Sequence, residues 1–459
     1  MIYREINPPN HGKLMRDISL DDAASSTSST SSTLAPNAPQ ITSQQGGRAV
    51  LAAIIGNWLE VFDFTVYGFF AVTIGKLYFP ATDPTTSLLL SVATFAVGFF
   101  TRPLGSVLLG VYADRHGRKA ALNLTIALMA LSTLAIACTP TYAQIGIAAP
   151  LIVVIGRLLQ GFSQGGEFGA ATTTLVELGS NTRRGLRASW QLSSQGGAAL
   201  LGAGTATLLT TFISTDAMGI WGWRIPFLMG ALIAPIGIYL RRVMPDDSAD
   251  NCMHVGPSVL LEVLQHKKTV LLVMLTVMGG TVSTYILTFY MPTYAVHSLG
   301  MPQNLSMRIG VGSGLTLLLS APLFGAWSDR IGRRKTPIIV GRLMLAIALW
   351  PAFWLFNCFP VLPVVIPLMV FMLLCYSMGS ATEFALMSES FPRRIRVTGI
   401  SIAYALAVTL FGGTAQLVVT ALIRMTGSNL APAGYVSASL LISLIAVTKL
   451  KETANTPLD

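Results

Sequence analysis

Apolar segments about twenty residues long alternate with short polar segments along most of this chain. Twelve apolar segments can be counted, with approximate spans 50–76, 88–111, 120–138, 144–177, 188–213, 222–242, 269–295, 307–327, 337–356, 361–388, 398–422 and 431–448. Each is close to the roughly 20 residues that a helix needs to cross a bilayer. Because lipid offers no hydrogen bonds to the backbone, such segments must be helical. The pattern predicts an all-α membrane protein with twelve transmembrane helices.

The polar stretches between and around these segments suggest the domain organisation. Residues 1–48 are rich in Ser, Thr and Pro and too poor in apolar residues to pack, which predicts a disordered tail. The polar stretch 243–268 divides the helices into two bundles, over 49–242 and 269–448. Residues 449–459 are expected to form a second tail.

The basic residues predict how the chain is oriented. Seventeen Lys and Arg residues lie in the loops after even-numbered segments, and at most four lie in the opposite loops. Because positively charged loops stay in the cytoplasm, we expect both termini on the cytoplasmic side of the inner (plasma) membrane. These clusters also account for the net charge of +10 without a nucleic-acid partner.

Composition argues against an enzyme. Only 11% of the residues are charged, whereas soluble domains have about 25%. The four cysteines have no CxxC spacing, and the five histidines fall outside the centres of the predicted helices. With no catalytic constellation and no ATP-binding motif, we expect neither a metal nor a cofactor. A gradient must then drive any uphill transport.

An internal repeat connects the two bundles. The loop GVYADRHGRK (110–119) recurs as GAWSDRIGRRK (325–335), and each copy follows the second helix of its bundle. A second echo relates VELGSNTRRG (176–185) to SESFPRRIRVTG (388–399). Two parallel six-helix repeats are typical of transporters, whose binding sites lie at the repeat interface near the middle of the membrane.

The repeated loop, G-x-x-x-D-R-x-G-R-[KR], resembles the signature loop of the major facilitator superfamily, and we call both copies signature loops. The segments GNWLEVFDFTVYG, GRLLQGFSQGGEFG and SESFPRRIRVTG resemble the metabolite:proton symporter family, and ASWQLSSQ, YMPTY and TGSNLAPAG are most like its citrate–proton symporter branch. The resemblance runs from Gly56 to about Gly434.

This resemblance implies a monomeric, proton-coupled symporter that works by alternating access. The implied substrate is an organic acid, namely citrate or a related tricarboxylate. Other substrates of the family stay open as alternatives: a dicarboxylate such as 2-oxoglutarate, an aromatic acid or shikimate, and a zwitterionic osmolyte such as proline or betaine.

Ionisable residues inside the predicted helices are the first candidates for function. Glu60 and Asp63 lie one turn apart, and with Asn57 and Tyr67 they form a polar stripe expected to face the interior of the bundle. The carboxylates either lock helices together through arginines or titrate during transport. The resemblance implies that a helix-1 acid pairs with a helix-4 arginine, and Asp63 and Arg157 match those positions. Asp63, with Glu60 as the alternative, is the expected proton carrier.

Polar residues at helical spacing are candidate substrate ligands, because guanidinium and amide groups suit carboxylates. The full candidate set is Asn57, Tyr67, Arg102, Arg157, Gln160, Gln164, Gln191, Gln195, Tyr285 and Tyr290. Hydrogen bonding between helices is the alternative role for these side chains, and Arg102 is also suited to capping or gating. Glu383 is expected to be an ion-pair partner near a helix end, and Arg342 is expected to extend to the membrane surface.

The signature loops are expected to hold the cytoplasmic side shut. Their glycines allow a sharp turn, and their charged residues can pair with helix ends. The candidate gating set is Gly110, Asp114, Arg115, Gly117, Arg118 and Glu177 in the first bundle, and Asp329, Arg330, Gly332, Arg333 and Glu389 in the second. The alternative, that the arginines only set topology, explains neither the aspartates nor the glycines.

Overall fold

The computed structural model describes residues 57–58, 61–116, 118–165, 168, 172–173, 175–176, 181–232 and 262–454, without some side chains between 110 and 122 and those at 181 and 215. The predicted tail over 1–48 and most of the linker over 243–268 lie outside these residues. Glu60, Gly117 and Glu177 do too, as do the side chains of Asp114, Arg115 and Arg118. The predictions for these segments and residues stay predictions.

Every long element among the described residues is a helix. The first, α1, has two parts, Val61–Phe69 and Ala71–Tyr78, which meet at 66°. In α2, Pro84–Phe100 continues after one residue as Arg102–His116. The others are α3 (Arg118–Cys138), α4 (Ala148–Gln164), α5 (Arg184–Phe212), α6 (224–232), α7 (Lys267–His297), α8 (Gln303–Ile331), α9 (Lys335–Cys358), α10 (Leu362–Glu389), α11 (Arg393–Thr426) and α12 (Ala431–Lys449). The predicted all-α architecture is confirmed, with α1–α6 and α7–α12 as its two halves.

The outer surface of the bundle is apolar, as lipid requires. Among the described residues, seven helices are long and apolar enough to cross a membrane, and the bent α1 makes an eighth. Large apolar side chains within long helices point outward: Leu323 is 70% exposed and Ile347 is 74% exposed. In water such a surface would be an aggregation hazard, whereas in a bilayer it contacts acyl chains.

Local sequence signals fix the ends of several helices. Asp83 caps α2 by accepting hydrogen bonds from the backbone N–H groups of Thr85 and Thr86, and Pro84 opens the helix. Gly332 ends α8 in the left-handed conformation with φ of 66°, which favours glycine. We call the end of the bundle where α8 meets α9 the signature end.

Helix α7 changes its winding before Pro292. Residues Tyr285–Tyr290 form a π-helical segment, and the α-helix resumes over Met291–His297. Proline has no N–H to donate and its ring crowds the preceding turn, so a wider turn accommodates it. The sequence predicts a kink at this position, and the structure has a π segment just before it.

The two halves meet along α5 and α8 through backbone contacts. A Cβ atom added to Gly196 would lie less than 3.0 Å from the backbone nitrogen of Leu318, and one added to Gly314 would lie equally close to that of Leu200. The Ser193 hydroxyl donates to the Leu318 carbonyl over 2.8 Å. Small residues are thus required where these helices cross.

We predict that Gly196→Ala destabilises the protein, because the added methyl group forces α5 and α8 apart. The expected cost is about 1–3 kcal/mol, as for other overpacked cores, and would appear as a lower melting temperature of the detergent-purified protein. Gly204→Ala is the matched control, because Gly204 lies in the same helix and a Cβ atom added there would have nothing within 4 Å. Equal melting temperatures for the two variants would contradict the prediction.

Candidate functional site

A narrow cavity lies between the two halves of the bundle. Its wall combines nine apolar or aromatic side chains with seven polar or charged ones. The lining residues are Asn57, Val61, Phe64, Arg102, Phe168, Gln195, Val277, Gly280, Thr281, Thr284, Tyr285, Phe289, Tyr376, Ser380, Glu383, Phe384 and Tyr404. Sites for small molecules commonly combine such walls with a few polar groups that orient the ligand.

Contacts between the halves lie on both sides of this cavity. Toward the signature end, the Phe168 ring stacks on Tyr404 and lies 5.9 Å from the Phe384 ring centroid. Toward the opposite end, the Thr293 hydroxyl donates to the Gly68 carbonyl over 2.8 Å. Phe168, after the end of α4, and Gly68 of α1 therefore both touch the second half.

Asp63 lies in a polar cluster inside the first half. Its carboxylate is 3.3 Å from the Arg157 guanidinium and accepts a 3.1 Å hydrogen bond from the Thr133 hydroxyl. Gln160 donates to Thr133 over 2.8 Å, and the Arg157 guanidinium carbon lies 3.7 Å from the centre of the Tyr67 ring. The predicted pair of Asp63 and Arg157 is therefore in contact, and hydrogen bonds and a cation–π contact surround it.

The polar stripe of α1 divides between two environments. Asn57 lines the cavity with Val61 and Phe64, which share its face of the helix. Asp63 and Tyr67 are not among the lining residues; they are 2% and 0% exposed and face α3, α4 and α2 instead. Successive residues of a helix are about 100° apart, so the stripe is wide enough for some of its side chains to face the cavity while others face the neighbouring helices.

Arg102 brings a buried positive charge to the cavity wall. It donates a 2.9 Å hydrogen bond to the side-chain oxygen of Gln164, and its guanidinium carbon lies 4.5 Å from the centre of the Phe99 ring and 5.0 Å from that of Phe64. These contacts hold the guanidinium beside the cavity.

The other candidate ligands lie at different distances from the cavity. Gln195 and Tyr285 line it. Gln191 instead donates to the Asn57 side-chain oxygen over 3.0 Å, and the Tyr290 hydroxyl is hydrogen-bonded to Thr420 over 2.7 Å. Asn57, Arg102, Gln195 and Tyr285 are thus at the cavity, whereas Tyr67, Arg157, Gln160, Gln164, Gln191 and Tyr290 lie behind its wall.

Glu383 and Arg342 lie elsewhere than their sequence positions predict. They form a 3.0 Å ion pair with both side chains at most 5% exposed, and Glu383 lines the cavity. The ion pair predicted for Glu383 is therefore confirmed, although it lies at the cavity and not at a helix end, whereas the surface position predicted for Arg342 is wrong. The Glu383 carboxylate and the Thr276 carbonyl, each 3.0 Å from Arg342 Nη2, hold the guanidinium in the interior.

At the signature end, Asp329 connects the halves. Its carboxylate accepts 2.8 Å hydrogen bonds from the backbone N–H groups of Gly185 and Leu186, in the first turn of α5. Arg334 donates to the same carboxylate over 2.7 Å. A carboxylate at a helix N-terminus satisfies orphan N–H groups and faces the positive end of the helix dipole.

Glu389 joins the same network. It accepts from Arg334 over 3.2 Å and lies 3.8 Å from the Arg184 guanidinium, whereas the predicted Arg330 and Arg333 are exposed. Arg334 and Arg184 are gating candidates that the sequence analysis missed. The pattern of three adjacent basic residues, 333–335, signals such a cluster but does not say which side chain turns inward.

The chain after α12 also contacts this network. Glu452 accepts hydrogen bonds from the backbone N–H groups of Arg334 and Lys335 at the start of α9, and the Thr453 hydroxyl donates to Glu389 over 2.6 Å. Part of the predicted tail over 449–459 therefore packs against α9 and α10.

A charge pair also links the halves at the opposite end, where Arg424 lies 3.6 Å from Asp83. Hydrogen bonds from the Thr86 hydroxyl and from the Thr85 backbone lower the pKa of Asp83 from 3.8 to about 2. Its stabilising effect is thus complete above the ordinary value and is lost only as the pH falls through about 2. Asp83 stays ionised near neutral pH and is a poor candidate for a coupling proton.

Comparison with known proteins identifies the family to which this chain belongs. The family model described as Major Facilitator Superfamily matches residues 53–414. A citrate-proton symporter of Klebsiella pneumoniae is 35% identical over 87% of this chain and 90% of its own length, and a proline/betaine transporter of Salmonella typhimurium is 33% identical over 90% and 84%.

Among solved structures, the xylose transporter XylE from E. coli, in a partially occluded inward-open conformation, superposes with a TM-score of 0.74 at 18% identity. The match covers 91% of this chain and 100% of that one. At that identity the likeness shows the fold. From the fold, the match to the family model and the relatives, this multi-pass membrane protein belongs to the Major Facilitator Superfamily.

Proposed function

We propose that this protein is a proton-coupled symporter of an organic acid, citrate or a related tricarboxylate, working by alternating access. The observation that carries the proposal is the buried Arg102 on the wall of the cavity between the halves. A guanidinium keeps its charge and binds carboxylates with two parallel hydrogen bonds. The citrate-proton symporter relative supports the same substrate class.

The pair of Asp63 and Arg157 supports proton coupling. Both side chains are at most 2% exposed and neither has a second opposite charge among its described contacts. If helix movement separates them, the carboxylate becomes a buried, unpaired charge, and binding a proton relieves that cost. We propose that protonation of Asp63 frees Arg157. Glu60 stays the alternative acceptor.

A zwitterionic osmolyte is the second candidate substrate. The cavity wall carries Arg102 and Glu383, so it presents both signs of charge. Its aromatic rings, including Tyr285, Tyr376 and Tyr404, also suit a quaternary ammonium group through cation–π contacts. The proline/betaine transporter relative agrees with this alternative.

Uptake into proteoliposomes separates the two candidates. We expect labelled citrate to accumulate when the outside is acidic, and to stop accumulating when an ionophore collapses the pH gradient. The panel includes 2-oxoglutarate, shikimate, proline and betaine. Acid-driven uptake of betaine or proline without any carboxylate would favour the second candidate, and no acid-stimulated uptake of any compound would overturn proton symport.

We predict that Asp63→Asn abolishes pH-gradient-driven accumulation, because an amide cannot take up or release the coupling proton. Accumulation by the variant is expected to fall to the level of the wild type treated with an ionophore. Exchange of labelled for unlabelled substrate across the membrane is expected to persist. Asp216→Asn, at an exposed position in the loop after α5, is the control. Accumulation retained by Asp63→Asn would contradict the proposal.

We also propose that the signature end is a gate. Asp329, Arg334, Glu389 and the start of α5 join the halves there through charged hydrogen bonds. Opening this end must break them, so they stabilise the conformation that is closed there. We propose that this end is cytoplasmic, that both termini lie on that side of the inner membrane and that the protein works as a monomer.

We predict that Asp329→Ala shifts the population toward conformations open at the signature end. In the closed conformation, two N–H groups and Arg334 lose their acceptor, which destabilises that conformation by about 1–3 kcal/mol. This corresponds to a roughly 5–150-fold shift in the equilibrium between the closed and open conformations. Spin labels at the exposed positions of Arg183 and Arg393 would report it as a longer distance. Arg330→Ala, at the exposed neighbouring position, is the control. Identical distance distributions in both variants would contradict the gate.

A further inference from the structure

Glu383 is a buried carboxylate of the second half that faces the cavity directly. Its Oε2 atom is 3.0 Å from Arg342 Nη2, and its Oε1 atom has no hydrogen-bond partner among the described residues. A Cβ on Gly280 would lie less than 3.0 Å from Oε2, so this carboxylate packs directly against the backbone of α7.

Arg342 also has a guanidinium nitrogen without a hydrogen-bond partner among the described residues. One guanidinium nitrogen, Nη2, donates to the Thr276 carbonyl over 3.0 Å and contacts Glu383, whereas Nη1 has no partner among the described residues. Buried N–H groups of arginine normally find acceptors. Arg342 is not itself among the residues that line the cavity, so a ligand carboxylate would reach it at the position on the wall where the Glu383 carboxylate now lies.

Arg342 is the residue that forms an ion pair with Glu383, and the other ionisable groups near Glu383 are tyrosines and one further arginine. From its own helix comes Tyr376, which is hydrogen-bonded to Thr284 of α7. Tyr285 of α7 and Tyr404 of α11 line the same cavity, and Arg102 lies on the wall formed by the first half. Among these groups, only the two arginines carry a charge near neutral pH.

We propose that Glu383 and Arg342 form a second site at which proton and substrate exchange partners. This rests on the proposed organic-acid function and goes beyond the coupling assigned to Asp63. In the empty site, Arg342 neutralises Glu383. A carboxylate of the substrate takes the place of Glu383 on Arg342, and Glu383 binds a proton that enters from the bulk solution through the cavity. One anionic group and one proton enter together, so the buried charge is unchanged.

The energetics favour this exchange over simple addition of the anion. Adding a substrate carboxylate while Glu383 stays ionised would place two negative groups on one buried arginine. Like charges sharing a site cannot both stay ionised easily, and removing the partner of a buried ion pair is costly. Uptake of a proton by Glu383 removes both costs.

A merely structural ion pair is the alternative, and equilibrium binding distinguishes the two. Citrate binding to the purified protein is measured by calorimetry from about pH 6 to 8. If one proton enters with the ligand, the wild-type Kd rises about tenfold more per pH unit than that of Glu383→Gln, because the variant has no group to protonate. Citrate's own ionisation is common to both proteins and cancels in this comparison.

Three further variants make the test specific. Arg342→Gln is expected to weaken citrate binding at least about tenfold at every pH, because charged hydrogen bonds are lost. Glu383→Asp is expected to keep the steep pH dependence. Glu262→Gln removes the partly exposed carboxylate of a surface Glu–Arg pair, with Arg394 at 3.5 Å, and is expected to behave like the wild type.

The outcomes separate this proposal from the proposed function. Citrate binding with equal pH dependence in the wild type and Glu383→Gln would overturn the exchange site and leave the organic-acid function standing. A lower melting temperature of Glu383→Gln without a change in pH dependence would also overturn it, in favour of a structural pair. If the wild type binds no citrate at any pH but binds betaine, the organic-acid function fails and this proposal fails with it.

Discussion

A charge buried in the apolar interior of this bundle needs an opposite charge or a polar or aromatic partner, because lipid does not solvate it. Opposite charges meet in the described interior in Asp63–Arg157, in Arg342–Glu383 and in the network of Arg334 and Arg184 with Asp329 and Glu389. The need to keep buried charges partnered also restricts how the helices can move. A residue that leaves its partner needs a proton, a ligand or a new partner at the same moment, and conformational change is thereby linked to binding.

The helices themselves were predictable from the sequence, because hydropathy acts on each segment separately. Whether a stretch can cross a bilayer depends on its own length and composition, and the spans from 269 to 448 agree with the observed helices to within a few residues. The bend within α1 was not predictable in this way. Residues on both sides of the 66° bend are equally apolar, so hydropathy does not register it.

Periodicity was less informative about the site, because a helix in the interior has neighbours on several sides. In α1 the polar residues fall within one arc, yet Asn57 faces the cavity and Asp63 faces α3 and α4. Arg342 is a second residue whose surroundings the sequence does not predict. It lies only a turn or two from the loop in sequence, which suggests that its side chain extends to the membrane surface. The Glu383 carboxylate of α10 and the Thr276 carbonyl of α7, partners that the sequence does not reveal, hold it in the interior. Which charged side chains form ion pairs therefore depends on which helices are neighbours in the fold.

The two intramembrane pairs differ in what can reach them. Asp63 lies behind the cavity wall, with Arg157 held between it and the Tyr67 ring, so separating this pair requires α1 and α4 to move relative to each other. Glu383 lines the cavity, so a ligand in the cavity can contact its carboxylate without a movement of α1 against α4. A proton on Asp63 would therefore belong to the conformational step and a proton on Glu383 to the binding step. The two steps can be measured separately, since exchange at equilibrium needs no net proton movement whereas accumulation does.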